Sequence, residues 1–279
     1  MTNNIVAAVV LALVWVGGAV FAGVDDKPQA PKAEAPKADA PTVEAQNAAA
    51  AEGASAAAVI DKAAAALGGK DKLAAVKAAT WTSKGTITIG GMEAPFTANL
   101  AFQGHDHRRV EFETKFGDAD IKGLVVINGE KGWRQMNGNT EELAGEELDR
   151  ERRNGWREWT AVDVLLLKSP PFKTEPAADA DVNGKAAAAV KVTGPTGEPF
   201  TLYFDKATGL PVRQVGKVIT FSGDEATEEV AYSDYKDFDG IKKATKVETK
   251  HDGQRLLLAE LTQFKVLEKP EPRTFDRPE

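Results

Sequence analysis

A chain of 279 residues without a single cysteine can hold no disulfide frame, no thiolate zinc site, no cysteine nucleophile and no lipid-modified cysteine. Its formal charge of -7 argues against nucleic-acid partners, which call for a concentrated basic surface. At 42% hydrophobic and 28% charged residues the composition is that of a globular protein, long enough to bury one sizeable core.

Taken from the start, Ile5 to Ala22 contains no charged residue, and Val20-Phe21-Ala22 places short residues where a signal peptidase would cut before Gly23. Residues 1–22 therefore predict export, either as a cleaved signal peptide or as an uncleaved membrane anchor, because roughly 18 residues approach the length of a span. Residues 23–54 are rich in Ala, Pro, Lys and Glu, with Ala30-Pro31-Lys32-Ala33-Glu34 followed by Ala35-Pro36-Lys37-Ala38-Asp39. Such a stretch cannot bury a core and reads as a disordered tether. The expected location is the periplasm or cell envelope, with membrane contact through residues 5–22 if they are retained.

Residues 55–279 read as a single domain. Ser55 to Leu67 is an Ala-rich helix closed at Gly68-Gly69, and Asp71 opens a second short helix through about Ala78. Beyond Trp81 the period becomes two: Ile87 and Ile89, then Ala98, Leu100 and Phe102, then Val110 and Phe112 alternate with polar or small residues, as in half-buried strands. A further strand covers Ile121 to Ile127, and Asn128-Gly129 turns it toward Trp133. From Glu141 to Leu167 the spacing of Trp156, Trp159, Val162 and Leu166 predicts a helix with one apolar face, ended by Pro170-Pro171. Strands return at 187–193, 200–205, 210–221, 228–236, 243–250 and 255–267, separated by turns such as Thr208-Gly209, Ser222-Gly223-Asp224, Asp239-Gly240 and Asp252-Gly253. About ten strands in succession favour one antiparallel sheet that must curl, its concave face covered by the tryptophan-bearing helix.

No His-Glu-x-x-His, Gly-x-Ser-x-Gly or phosphate-binding loop occurs, so the reading is non-enzymatic, with no cofactor and no metal. His105-Asp106-His107 is read as a turn, since the only other histidine is the distant His251. Arg150, Arg153 and Arg157 are interleaved with Glu147, Glu151 and Glu158, which predicts pairing along the helix. Between sheet and helix, Ile87, Ile89, Leu100, Phe102, Val110, Phe112, Trp133, Trp156, Trp159 and Leu166 either line an apolar cavity or fill an ordinary core. Arg109, at a strand start beside Arg108, is the candidate at the cavity rim for a phosphate or ester head group.

Four stretches carry a resemblance: Ala66-Leu67-Gly68-Gly69-Lys70-Asp71-Lys72-Leu73, Asn128-Gly129-Glu130-Lys131-Gly132-Trp133, Leu202-Tyr203-Phe204-Asp205-Lys206-Ala207-Thr208-Gly209-Leu210-Pro211-Val212-Arg213, and Tyr232-Ser233-Asp234-Tyr235-Lys236-Asp237-Phe238-Asp239-Gly240-Ile241. In this order they resemble the bacterial outer-membrane lipoprotein-sorting proteins, the LolA/LolB-like superfamily. The resemblance implies a mainly antiparallel β fold with helices, a strongly curved half-barrel of about eleven strands with helices covering the concave face. It further implies a lipid or acyl-chain ligand held without covalent chemistry, as in a carrier or sensor for lipoprotein or lipid trafficking. The competing expectations are a tethered scaffold with a filled core that meets an envelope protein partner, and an unrecognised hydrolase.

Overall fold

The structure, a computed structural model, describes residues 54–220 and 224–279; the expected export segment, nearly all of the tether, and Phe221-Ser222-Gly223 lie outside the described residues. Helix α1, Ala56–Leu67, starts where the Ser55 hydroxyl accepts from Ala58 N at 3.3 Å and buries Ile60, Ala63, Ala64 and Leu67 on one face. It stops at Gly68, whose φ of 145° is one that L side chains rarely adopt and whose added Cβ would lie 2.3 Å from the Gly240 carbonyl oxygen. Glycine is thus required there twice, by the backbone turn and by the close approach of the sheet. A short helix α2, Lys70–Ala75, follows and buries Leu73.

Thirteen strands then form one antiparallel sheet. The first six are β1 Ala78–Ile89, β2 Met92–Gln103, β3 His107–Phe116, β4 Ala119–Asn128, β5 Lys131–Met136 and β6 Asn139–Glu142. Helix α3, Gly145–Thr160, and a 3-10 turn, Val164–Lys168, lead to β7 Lys173–Val182, β8 Lys185–Thr193, β9 Pro199–Asp205, β10 Pro211–Ile219, β11 Glu225–Phe238, β12 Ile241–His251 and β13 Gln254–Leu267. The order across the sheet is β6-β5-β4-β3-β2-β1-β13-β12-β11-β10-β9-β8-β7, so β1 and β13 meet in the middle and β6 and β7 are the two edges. The chain meanders outward to one edge, crosses over, and meanders back from the other. That topology obliges α3 and the 3-10 turn to connect opposite edges, and their apolar residues bury against one face of the sheet, here called the inner face.

The sheet is open rather than closed into a barrel, and its strand number corrects the expected eleven or so. The additional strands are the edges. In β6, Asn139-Thr140-Glu141-Glu142, no residue is fully buried, and β7 is mostly exposed and contains Pro176. An edge strand with solvent on both faces has no reason to alternate apolar and polar residues, so period two is silent there. Glu141 and Glu142, read as helix, are accordingly strand. The helix proper ends at Thr160, and the 3-10 turn changes the phase, so that Val164 and Leu167 are buried while Leu166 is only half-buried.

Buried side chains form three clusters among the described residues. The largest joins α1, α2 and the 3-10 turn to Trp81, Phe102, Trp156 and Trp159. Its centre is an aromatic stack: Trp81 lies parallel to Phe102 at 4.8 Å, and Phe102 faces Trp159 at 5.9 Å. Trp156 rests against Gly194, where an added Cβ would fall 1.5 Å from the indole ring. The second cluster gathers Ile87, Phe96, Phe112, Ile121 and Val125 further along the inner face. The third lies on the outer face, where Leu124, Val126 and Trp133 are covered by Phe275 of the C-terminal segment.

Candidate functional site

Between the first two clusters lies a partly enclosed cavity of about 190 Å³. Its wall is apolar: Phe96, Ala98, Leu100, Val110, Phe112 and Val125 from β2 to β4, and Val247, Leu257, Ala259 and Leu261 from β12 and β13. Its other side is α3, which contributes Asn154, Arg157, Glu158 and Ala161, faced by Arg108, Gln214, Glu228, Tyr232 and Lys243 from the sheet. Alternation explains the division, because Arg108, Val110 and Phe112 occupy successive inward positions of one strand, with the arginine nearest the helix.

The charged groups tie α3 to four strands. Arg108 on β3 donates from Nε and Nη2 to Glu158 at 2.8 and 3.0 Å and from Nη1 to Glu151 at 3.1 Å. Burial alone would push this guanidinium down, but the carboxylates of Glu158 and Glu151 hold it above its ordinary value. Gly155 makes the approach possible, since a Cβ there would meet Arg108 Cδ at 3.3 Å. Arg157 donates to Glu228 on β11 at 2.7 Å and to the Gln214 carboxamide on β10, whose oxygen the hydrogen-bond network places 3.1 Å from Nε and Nη2. Glu228 is also 3.4 Å from His251 Nε2. Although burial opposes it, the Arg157 charge and the His251 contact hold the Glu228 carboxyl below the usual carboxylate range. Lys243 on β12 donates to the carbonyl of Ala161, the C-terminal cap of α3, at 3.3 Å and lies 4.9 Å from the Trp81 ring centroid.

For Arg153 and Arg157 this arrangement replaces the expected pairing along the helix, which is kept only by Arg150 with Glu147. Arg157 pairs with the sheet and Arg153 with Glu198 at 2.5 Å, while the ion pairs within α3, Arg150 with Glu147 and Arg152 with Asp149, are both 3.9 Å long. Glu151 and Glu158 lie seven positions apart, two helical turns, and so share one side of α3 with Gly155 between them. That spacing was the available signal for Glu151 and Glu158; Lys243, Glu228 and Gln214 had none.

Of the residues expected at the cavity, Leu100, Val110 and Phe112 line it. Ile87 and Ile89 sit in the neighbouring packed cluster, and Phe102, Trp156 and Trp159 in the aromatic one, with Leu166 against it. Trp133 faces outward, because Gly132 and Arg134 take the inner positions of β5: a Cβ on Gly132 would meet Ile127 and Leu148 at 2.8 Å. Arg109 is likewise on the outer face, bonded to Glu111 at 2.8 Å and to the Thr274 carbonyl at 3.3 Å, so the residue that enters the cavity is its neighbour Arg108. The two histidines of His105-Asp106-His107 diverge, one ring packing on Phe172 and the other on Phe275. Among the described residues no group of three or more His, Asp or Glu side chains is placed to hold a metal ion, and no helix is long and apolar enough to cross a membrane.

No family model matches the chain, and no curated protein matches it in sequence. Solved structures do match. A LolA superfamily protein from Nitrosomonas europaea superposes with a TM-score of 0.54 at 11% identity, over 81% of this chain and 99% of the other. The chain has the LolA-like fold. The same arrangement recurs in a DUF1329 family protein from Desulfovibrio piger, with a TM-score of 0.51 at 12% identity over 79% of this chain and 96% of that one. It recurs again in a domain from Vibrio parahaemolyticus named for outer-membrane lipoprotein sorting, with a TM-score of 0.50 at 10% identity over 74% of this chain and 94% of that one. At such identities the LolA-like fold is what these proteins share; ligand and role belong to the site.

Proposed function

We propose that this protein is a non-enzymatic carrier or sensor of the cell envelope that holds the acyl chain of a lipid between the inner face of its sheet and α3. The observation that carries the reading is the cavity itself, an apolar void of about 190 Å³ beneath a helix that could have packed directly on the sheet. For comparison, a dry apolar cavity of about 150 Å³ is enough to admit a small hydrocarbon ring. The void would accept an unbranched chain segment, burial supplying about 0.8 kcal/mol per CH₂ group. The polar groups at its helix side are largely engaged with one another, which favours holding a ligand over transforming it. The LolA-like fold and the charge-free Ile5 to Ala22 segment support an exported protein.

Native mass spectrometry of the gently purified protein tests this directly: the expected result is a co-purified lipid, displaced by a fluorescent fatty-acid probe. A protein that is consistently free of lipid and binds no such probe would overturn the reading and leave a scaffold in its place.

A further inference from the structure

Three cationic and two anionic side chains line the cavity. Arg108 is matched by Glu158 in a two-point ion pair, and Arg157 by Glu228 at 2.7 Å. Lys243 is the one left over. Only 7% exposed, it forms no ion pair among the described residues. Its close contacts are the Ala161 carbonyl and the face of Trp81, and the Glu158 carboxylate, engaged with Arg108, favours its charged form from further off. An ammonium has three donors, and a single carbonyl and a ring do not use them all. A charge taken out of water without a counter-charge is costly, which is why buried lysines are so often paired.

The surroundings of Lys243 are those of a chain's end rather than its middle. Trp81 lies beneath it, and Leu261, Ala259 and Leu257 of β13 with Phe96 and Phe112 form the apolar wall of the same cavity. We propose that Lys243 is the head-group anchor of the cavity: it binds the anionic end, carboxylate or phosphate, of an amphiphile whose acyl chain lies along that wall. The proposal rests on the acyl-chain reading above and narrows the ligand class to acidic single-chain lipids. Burial pushes the pKa of Lys243 down to about 8 against the charge of Glu158, which raises it, so at neutral pH the ammonium stays mostly protonated and available to an anionic head.

The test uses the full chain, stripped of lipid, titrated calorimetrically with dodecanoate, dodecyl phosphate and dodecanol, and with acetate and inorganic phosphate as heads without chains. The wild type should bind the two acidic chains at least about tenfold more tightly than dodecanol, the gain of one charge-assisted contact. Lys243→Met should lose that preference while keeping its dodecanol affinity, and Lys243→Arg should retain it. A lysine serving only to cap α3 would change all three affinities together or none. Equal binding of acid and alcohol by the wild type, or a preference that survives Lys243→Met, would overturn the head-group assignment and leave the acyl-chain reading standing. Failure of all three chains would overturn both. Acetate or phosphate binding as tightly as the chains would make the site one for free anions and overturn the amphiphile. If Lys243→Met does not fold, Lys243→Gln, which keeps a donor but no charge, takes its place with the same expected loss.

Discussion

Glu151 has no exposed surface, and its Oε1 lies buried without a hydrogen-bond partner among the described residues. Burial outweighs the charges of Arg108, Arg134 and Arg150 and raises its pKa from the ordinary 4.5 to about 7. Between those values the folded protein holds a proton that the unfolded chain has released, so stability must fall as pH rises through the window and level off above it. Relative to Glu151→Gln, the wild type should lose on the order of 3 kcal/mol across that range, measured as urea unfolding free energy at stepped pH. Parallel pH profiles for the two proteins would rule the effect out. Helical spacing puts this glutamate on the same side of α3 as Glu158 but does not say what that side meets. Its partner Arg108 is 43 positions away, and a carboxylate reads the same whether it pairs along its helix or across to a sheet. The tryptophans were legible because large apolar residues at helical spacing have one physical explanation, burial; charges have several.

Helix α3 is held by packing on one side and by ion pairs on the other. Trp156 and Trp159 enter the aromatic cluster, while Glu151, Arg157 and Glu158 reach β3 and β11. Removing one member of such a set is costlier than the set is worth, because the remaining charges stay buried and unmatched. Arg108→Met should therefore destabilise the protein by about 3–5 kcal/mol, with amide exchange rising first in α3 and not in β1 or β13. Uniform exchange across the sheet would show that α3 is not a separately held element. Strands were legible from the sequence wherever one face was buried, as in β2, and illegible at the edges, where β6 and β7 have little to bury on either face. Strand β4 shows the opposite limit: Gly123 to Ile127 are all buried, because the second cluster covers one face and Phe275 the other. The covering segment follows the last strand and has no period by which sequence could assign it a face.

At the scale of the whole molecule the cavity exists because two packed clusters are joined by a crossing helix that stands off the sheet between them. Filling that gap should abolish binding without harming the fold. Ala98 lines the cavity and is itself buried, so Ala98→Leu would extend into the void rather than into packed neighbours. Lipid-probe affinity should fall at least about tenfold while the melting temperature stays level or rises, since cavity filling commonly adds 0.5–2 kcal/mol. Retained affinity would place the ligand elsewhere.

The amino-acid sequence determined what depends on near neighbours along the chain: the α1 cap at Ser55 and stop at Gly68, the period-two runs of the central strands, the Asn128-Gly129 turn and the apolar stripe of α3. These follow from backbone sterics and from the need of each element to bury one face. Only the tertiary structure decided which neighbours were distant ones. It set Trp133 and Arg109 on the outer face, joined Arg108 to Glu151 and Glu158, and placed Lys243, with no ion pair among the described residues, beside an unfilled space. A strand's alternation is indifferent to which side becomes the interior. A void has no residues of its own, so nothing along the chain can spell it.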